Sequence, residues 1–104
     1  MTGADINPYL AFAGSLAAGL WGIRTKQALP AAIEGNAYRL SEDEAPPLPA
    51  TLQEATRRLR NSAVAREILG DTFVDHYCAT REWEVRCAAG AVTDWELARY
   101  FELS

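Results

Sequence analysis

Apolar residues recur at helical spacing over most of this chain. Leu10, Ala13, Leu16, Ala17, Leu20 and Ile23 follow the three- and four-residue steps of one helix. Asn7 suits its N-cap, and Pro8 its first helical position, where a missing N–H costs nothing. The pattern predicts a helix from Pro8 to Lys26, with Arg24 and Lys26 near the end complementing its dipole. This stretch is apolar on most sides, so burial is expected, as the central helix of the fold. Gly14, Gly19 and Gly22 each lower helix propensity by about 1 kcal/mol relative to Ala. Close approach of another backbone is the expected compensation.

A second set of helices is expected after residue 50. Thr51 and Glu54 form a capping box ahead of Leu52, Ala55, Thr56 and Leu59. Ser62 starts a short helix that ends near Leu69, with Gly70 as a left-handed stop. Asp71 is read as the cap of the longest later helix, Thr72 to Ala89. Thr93 and Glu96 form another capping box, opening a last helix to Glu102. No segment reads as a strand. The pattern predicts an all-α fold of four to five helices, and 104 residues make one domain at most. Residues 1–6 are a lead-in. Residues 27–50 form a long irregular connection holding Pro30, Pro46, Pro47, Pro49 and the acidic run Glu42-Asp43-Glu44. Such a connection is unusual inside a compact domain.

Composition narrows the function classes. The net charge is −4, divided evenly between the halves, and no basic tract is present, which disfavours nucleic acid. The uncharged run Pro8 to Ile23 is 16 residues, short of the roughly 20 that span a bilayer. Asp5 precedes it where a signal peptide would carry positive charge. No membrane role is expected. Cys78 and Cys87 are the only cysteines. On one helix they fall on opposite faces, about 13 Å apart along the axis, so they cannot pair there. Reduced thiols in a cytoplasmic protein are the plain reading.

Several short strings occur in a characteristic order. Asn7-Pro8-Tyr9-Leu10 comes first, then Ala17-Ala18-Gly19-Leu20-Trp21-Gly22-Ile23 and Gly35-Asn36-Ala37-Tyr38. Leu48-Pro49-Ala50-Thr51-Leu52 and Glu54-Ala55 follow. Phe73-Val74-Asp75-His76-Tyr77, Arg81-Glu82-Trp83-Glu84-Val85-Arg86 and Val92-Thr93-Asp94-Trp95-Glu96 complete the series. Together they resemble the helical C-terminal segment of the glutamine synthetase catalytic domain. The resemblance includes the type I and γ-glutamylpolyamine synthetase-like branch, which joins glutamate to amines. Cys87-Ala88-Ala89-Gly90 departs from it, since relatives place bulkier or charged residues there.

The resemblance implies an ATP-dependent ligase family of nitrogen metabolism that uses Mg²⁺ or Mn²⁺. In that family the metal, ATP and glutamate ligands lie ahead of the Asn-Pro-Tyr-Leu string. No catalytic, cofactor-binding or metal-binding residue is therefore carried onto this sequence, and no cofactor is expected for this chain alone. Family members form stacked rings, and their C-terminal helices often contribute to subunit contacts. Trp95, Tyr100 and Phe101 are candidate contact residues on that ground.

The residues themselves do not assemble another site. His76 is the only histidine, and its neighbours Asp75 and Tyr77 point to other sides of a helix. Cys87 shares its face but lies about 16 Å along it, too far for one metal. Arg81, Glu82, Glu84 and Arg86 read as solvated helix pairs. Gly19-Leu20-Trp21-Gly22 lacks the context of a phosphate loop. Two functions stay open. One is a fragment of a glutamate–ammonia or glutamate–amine ligase, inactive alone. The other is a non-catalytic module that docks onto full-length glutamine synthetase-family subunits. Exposed apolar surface and self-association are expected with either.

Overall fold

Asn7 opens the first helix as its side chain requires. Its Oδ1 accepts from the backbone N–H of Tyr9 at 3.0 Å and of Leu10 at 3.3 Å, and α1 runs Pro8–Arg24. The computed structural model describes residues 6–33, 35–36, 40–41 and 46–101. Most of the lead-in, the acidic run, part of the Gly35–Tyr38 string and Glu102 lie outside them.

α1 ends two residues before the sequence pattern does. The N–H of Gln27 donates to the Gly22 carbonyl at 2.9 Å, and that of Lys26 to Ile23 at 3.2 Å. Lys26 itself has φ 53°. This is a Schellman stop with lysine in the left-handed position usually held by glycine. A side chain there costs roughly 1–2 kcal/mol. Only Arg24 is left in the last turn to face the dipole.

The chain divides into two compact units, Met1–Leu48 and Pro49–Ser104. In the first, α1 carries no buried residue. Tyr9 is 84% exposed and Ile23 78%, and Phe12, Leu16 and Leu20 are exposed as well. The expectation of a buried central helix is therefore overturned. Burial needs a facing surface, and the described residues that follow in this unit form neither helix nor strand. The glycines tell the same story. A Cβ at Gly14, Gly19 or Gly22 would meet nothing within 4 Å, so no close backbone approach compensates them.

Among the described residues the second unit contains four helices: α2 (Leu52–Asn61), α3 (Ala63–Leu69), α4 (Asp71–Ala89) and α5 (Asp94–Tyr100). α4 packs against both α2 and α3. Val74 and Cys78, one turn apart on α4, are fully buried, and Thr56 of α2 is nearly so. Thr56 Oγ1 donates to the Leu52 carbonyl at 2.7 Å, and Cys78 Sγ lies 3.7 Å from the Thr56 carbonyl. Cys87 is free and exposed. Burial of a valine side chain stabilises by about 1.5–3 kcal/mol, so Val74 is a large part of so small a core.

Short caps join these helices. Ser62 ends α2 through its N–H to Leu59 at 3.2 Å, and begins α3 by accepting from Ala65 N–H at 3.1 Å. Gly70, at φ 83° and ψ 148°, separates α3 from α4. Its positive φ fits a glycine stop, but its ψ is extended, outside the left-handed helical region. It also stands at the N-cap of α4, so Asp71 is the first helical residue and not the cap. The Asp71 carboxylate is engaged elsewhere, as shown below. Thr93 and Glu96 form the expected reciprocal capping box. α5 closes at Tyr100 and buries no residue. Among the described residues all five elements are helical, with no strand.

Two substitutions check this distribution. Val74→Ala lowers unfolding stability by about 2 kcal/mol in urea titration, through lost burial and a cavity. Gly19→Ala, with open space around it, raises the far-UV helical signal and favours α1 by about 1 kcal/mol. A loss of helicity in Gly19→Ala would show that another backbone does lie against this helix.

Candidate functional site

Two arginines organise the second unit. Arg66 of α3 directs each nitrogen to a different acceptor. Its Nε donates to the Arg60 carbonyl at 2.9 Å, Nη1 to Asp71 at 2.7 Å and Nη2 to Asp75 at 2.7 Å. Arg60 of α2 reaches Glu82 through Nε at 2.9 Å and Nη2 at 2.8 Å, and lies 3.8 Å from Asp75. Glu82 is thus bound across helices, where the sequence suggested a pairing along α4.

The hydrogen bond from Arg66 holds the Asp75 carboxyl below its ordinary value of 3.8, with the charges of Arg66 and Arg60 adding to it. The two carboxylates push the Arg66 guanidinium upward in turn. At the start of α2, Glu54 N–H donates to Thr51 Oγ1 at 3.1 Å, as the capping box predicts. The reciprocal arm falls one residue early, on Ala50 N–H at 3.2 Å. Glu54 also accepts from Arg58 at 2.6 Å. Arg58 and then the Ala50 amide depress its pKa. The Thr93 amide and hydroxyl do the same for Glu96.

Beside Arg60 a cleft of about 360 Å³ opens between α2 and α4. Gln53, Thr56 and Arg57 line one side, and Glu82, Val85 and Arg86 the other. The face of α4 bearing His76, Thr80, Trp83 and Glu84 borders a shallower depression. His76 is exposed there, and Cys87 is not among its lining residues. Phe73 and Tyr77 stack at 5.8 Å, with the Arg81 guanidinium 5.4 Å from the Tyr77 ring. On α5, Trp95 and Tyr100 meet edge to face at 6.3 Å, and Arg99 lies over both rings. Trp95, Tyr100 and Phe101 are all exposed.

This donor set does not fit a divalent cation. Among the described residues no three His, Cys, Asp or Glu side chains come together to hold one. The neighbouring carboxylates Asp71, Asp75 and Glu82 already accept from arginines. No described helix is long and apolar enough to cross a membrane.

The profile of the glutamine synthetase catalytic domain matches residues 1–100. The chain belongs to the glutamine synthetase family. It is 46% identical to a glutamate–isopropylamine ligase of a Pseudomonas species, over 97% of this chain and 22% of that protein. A type-1 glutamine synthetase of Dictyostelium discoideum is 45% identical over 99% of this chain and 20% of its own length. A gamma-glutamylethanolamide synthetase of Streptomyces coelicolor is 44% identical over 98% of this chain and 21% of its own. No solved structure matches. The chain thus spans about a fifth of the length of these relatives, which fits a C-terminal segment of the glutamine synthetase catalytic domain.

The arginine network was missed from the sequence. Arg60 and Glu82 stand 22 positions apart, beyond any local pattern. Arg66 and Asp71 carried a weak signal, as opposite charges flanking the Gly70 turn. Asp75 tests the network. Its folded pKa is depressed, so its contribution is complete above the unfolded value near 3.8 and is lost as pH falls through the lower folded value. Asp75→Asn lowers the melting temperature at neutral pH. It also flattens the acid limb of a near-UV circular dichroism titration. An unchanged acid limb in Asp75→Asn would remove Asp75 from this role.

Proposed function

We propose that this chain is the helical C-terminal part of an ATP-dependent glutamate–ammonia or glutamate–amine ligase, and that it is inactive alone. The observation that carries this reading is the match over nearly the whole chain to a glutamine synthetase and to ligases that join glutamate to other amines. The engagement of Asp71, Asp75 and Glu82 by arginines supports it, since it leaves these groups poorly placed for phosphoryl transfer. Residues beyond these 104 supply the metal, nucleotide and glutamate ligands. The role of this segment is to brace them and to contribute contacts between subunits in the cytoplasm. The exposed apolar surface of α1 and the exposed rings of α5 favour a partner surface of the same family.

The docking reading rests on the same exposed surfaces, with intact ligase subunits as partners. One experiment separates the two. The chain is mixed either with the N-terminal portion of the Pseudomonas relative or with that relative intact. Assembly is followed by analytical ultracentrifugation and γ-glutamyl ligation by ATP-dependent product formation. Complex formation and ligation with the N-terminal portion are expected, with no ligation by the chain alone. Binding only to intact subunits, with no ligation restored, would replace this reading with docking. Ligation by the chain alone would defeat both.

A further inference from the structure

We propose that the cleft between α2 and α4 is a binding site for a small dianion, with Arg57 and Arg86 as its two anchors. Gln53, Arg57 and Arg60 share one face of α2, at helical steps of three and four. Glu82 and Arg86 share one face of α4, and both faces line the same 360 Å³ space. That volume lies in the range of small-ligand sites.

The charges in the cleft are not equivalent. Glu82 is answered by Arg60 at 2.8 Å. Arg57 and Arg86 are exposed, and among the described residues neither has a carboxylate within ion-pair distance. Glu54 is the nearest acidic group to Arg57 along α2, and it is held by Arg58 at 2.6 Å. Two guanidinium groups with no ion-pair partner among the described residues therefore stand on opposite walls of a cleft in a chain whose net charge is −4. Guanidinium forks match the planar or tetrahedral oxygens of carboxylate and phosphate. Val85 and the stem of Thr56 supply an apolar surface between them, and the Gln53 amide offers both a donor and an acceptor. A compact molecule with two negative charges meets all of these groups. Dicarboxylates and phosphates share that chemistry.

The site is read by ¹⁵N NMR titration of the full 104-residue chain at low ionic strength, with chloride held constant. Inorganic phosphate is the probe in one arm and glutarate in the other. Saturable shifts of the Gln53 side-chain amide and of the Arg57 and Arg86 Nε resonances are expected with at least one probe, and the tighter probe identifies the preferred head group. Arg57→Gln and Arg86→Gln each weaken that binding by about tenfold, whereas Arg99→Gln on α5 leaves it unchanged. Far-UV circular dichroism confirms that the variants keep their helices. Linear, non-saturating shifts with both probes would overturn the site, as would equal binding by the Arg57→Gln, Arg86→Gln double variant.

Discussion

Arg66 reaches three parts of the second unit at once. Its Nε meets the Arg60 carbonyl in the last turn of α2, while Nη1 and Nη2 meet Asp71 and Asp75 in the first turns of α4. The carbonyl belongs to a helix end that has no partners of its own. The carboxylates lie near the N-terminal end of α4, where the helix dipole favours negative charge. A single planar guanidinium thus satisfies one helix terminus and fixes its direction relative to another. Lysine has three donors on a point charge and could not hold these three directions with one rigid fork. Isolated exposed ion pairs contribute little. This one matters because the core beneath it is so small. With only Val74, Cys78 and Thr56 buried among the described residues, hydrophobic contact draws α2 toward α4 without specifying their angle. Arg66 and Arg60 specify it.

α1 is governed by different forces. Its caps are complete at both ends, with Asn7 at the start and the Lys26 Schellman turn at the stop. Between them it carries three glycines in open space and a set of exposed apolar side chains. A helix of 17 residues is little longer than the roughly 12–15 below which isolated helices are marginal in water, and each glycine weakens it further. Such a composition is favourable when a second surface covers the helix, because glycine then permits close approach and the apolar side chains leave water. This is the physical ground for the proposal that α1 meets a partner surface. It comes from the residues and not from family resemblance.

Local signals made much of the fold legible. Asn7, Ser62 and the Thr93–Glu96 box mark helix starts because each cap is a contact between residues two or three apart. The family was legible for a different reason, the order of several strings along the chain. What could not be read were contacts whose partners are distant or ambiguous. Arg60 had several acidic candidates and chose one on another helix. Asp71 looked like a cap, yet Arg66 was close enough to claim its carboxylate and Gly70 took the N-cap position. Burial of α1 was inferred from its apolar character, but burial depends on a facing surface that a single helix cannot encode. The cleft escaped notice because its two walls belong to helices whose register is set by the Arg60–Glu82 pair.

The same pair also decides the character of that cleft. Arg57, Arg60 and Arg86 are chemically identical, and their different roles follow from geometry alone. Arg60 lies within hydrogen-bond distance of Glu82 and neutralises it. Glu54 is drawn to Arg58, and Asp71 and Asp75 to Arg66. Glu82, Glu54, Asp71 and Asp75 are therefore each held by another arginine and not by Arg57 or Arg86. Were Arg60 to release Glu82, both freed charges would stand in the same cleft, and the carboxylate could turn toward Arg86 instead. The contact that holds α2 against α4 is thus also what keeps the Glu82 carboxylate engaged by Arg60, while the net positive charge of the cleft comes from Arg57 and Arg86.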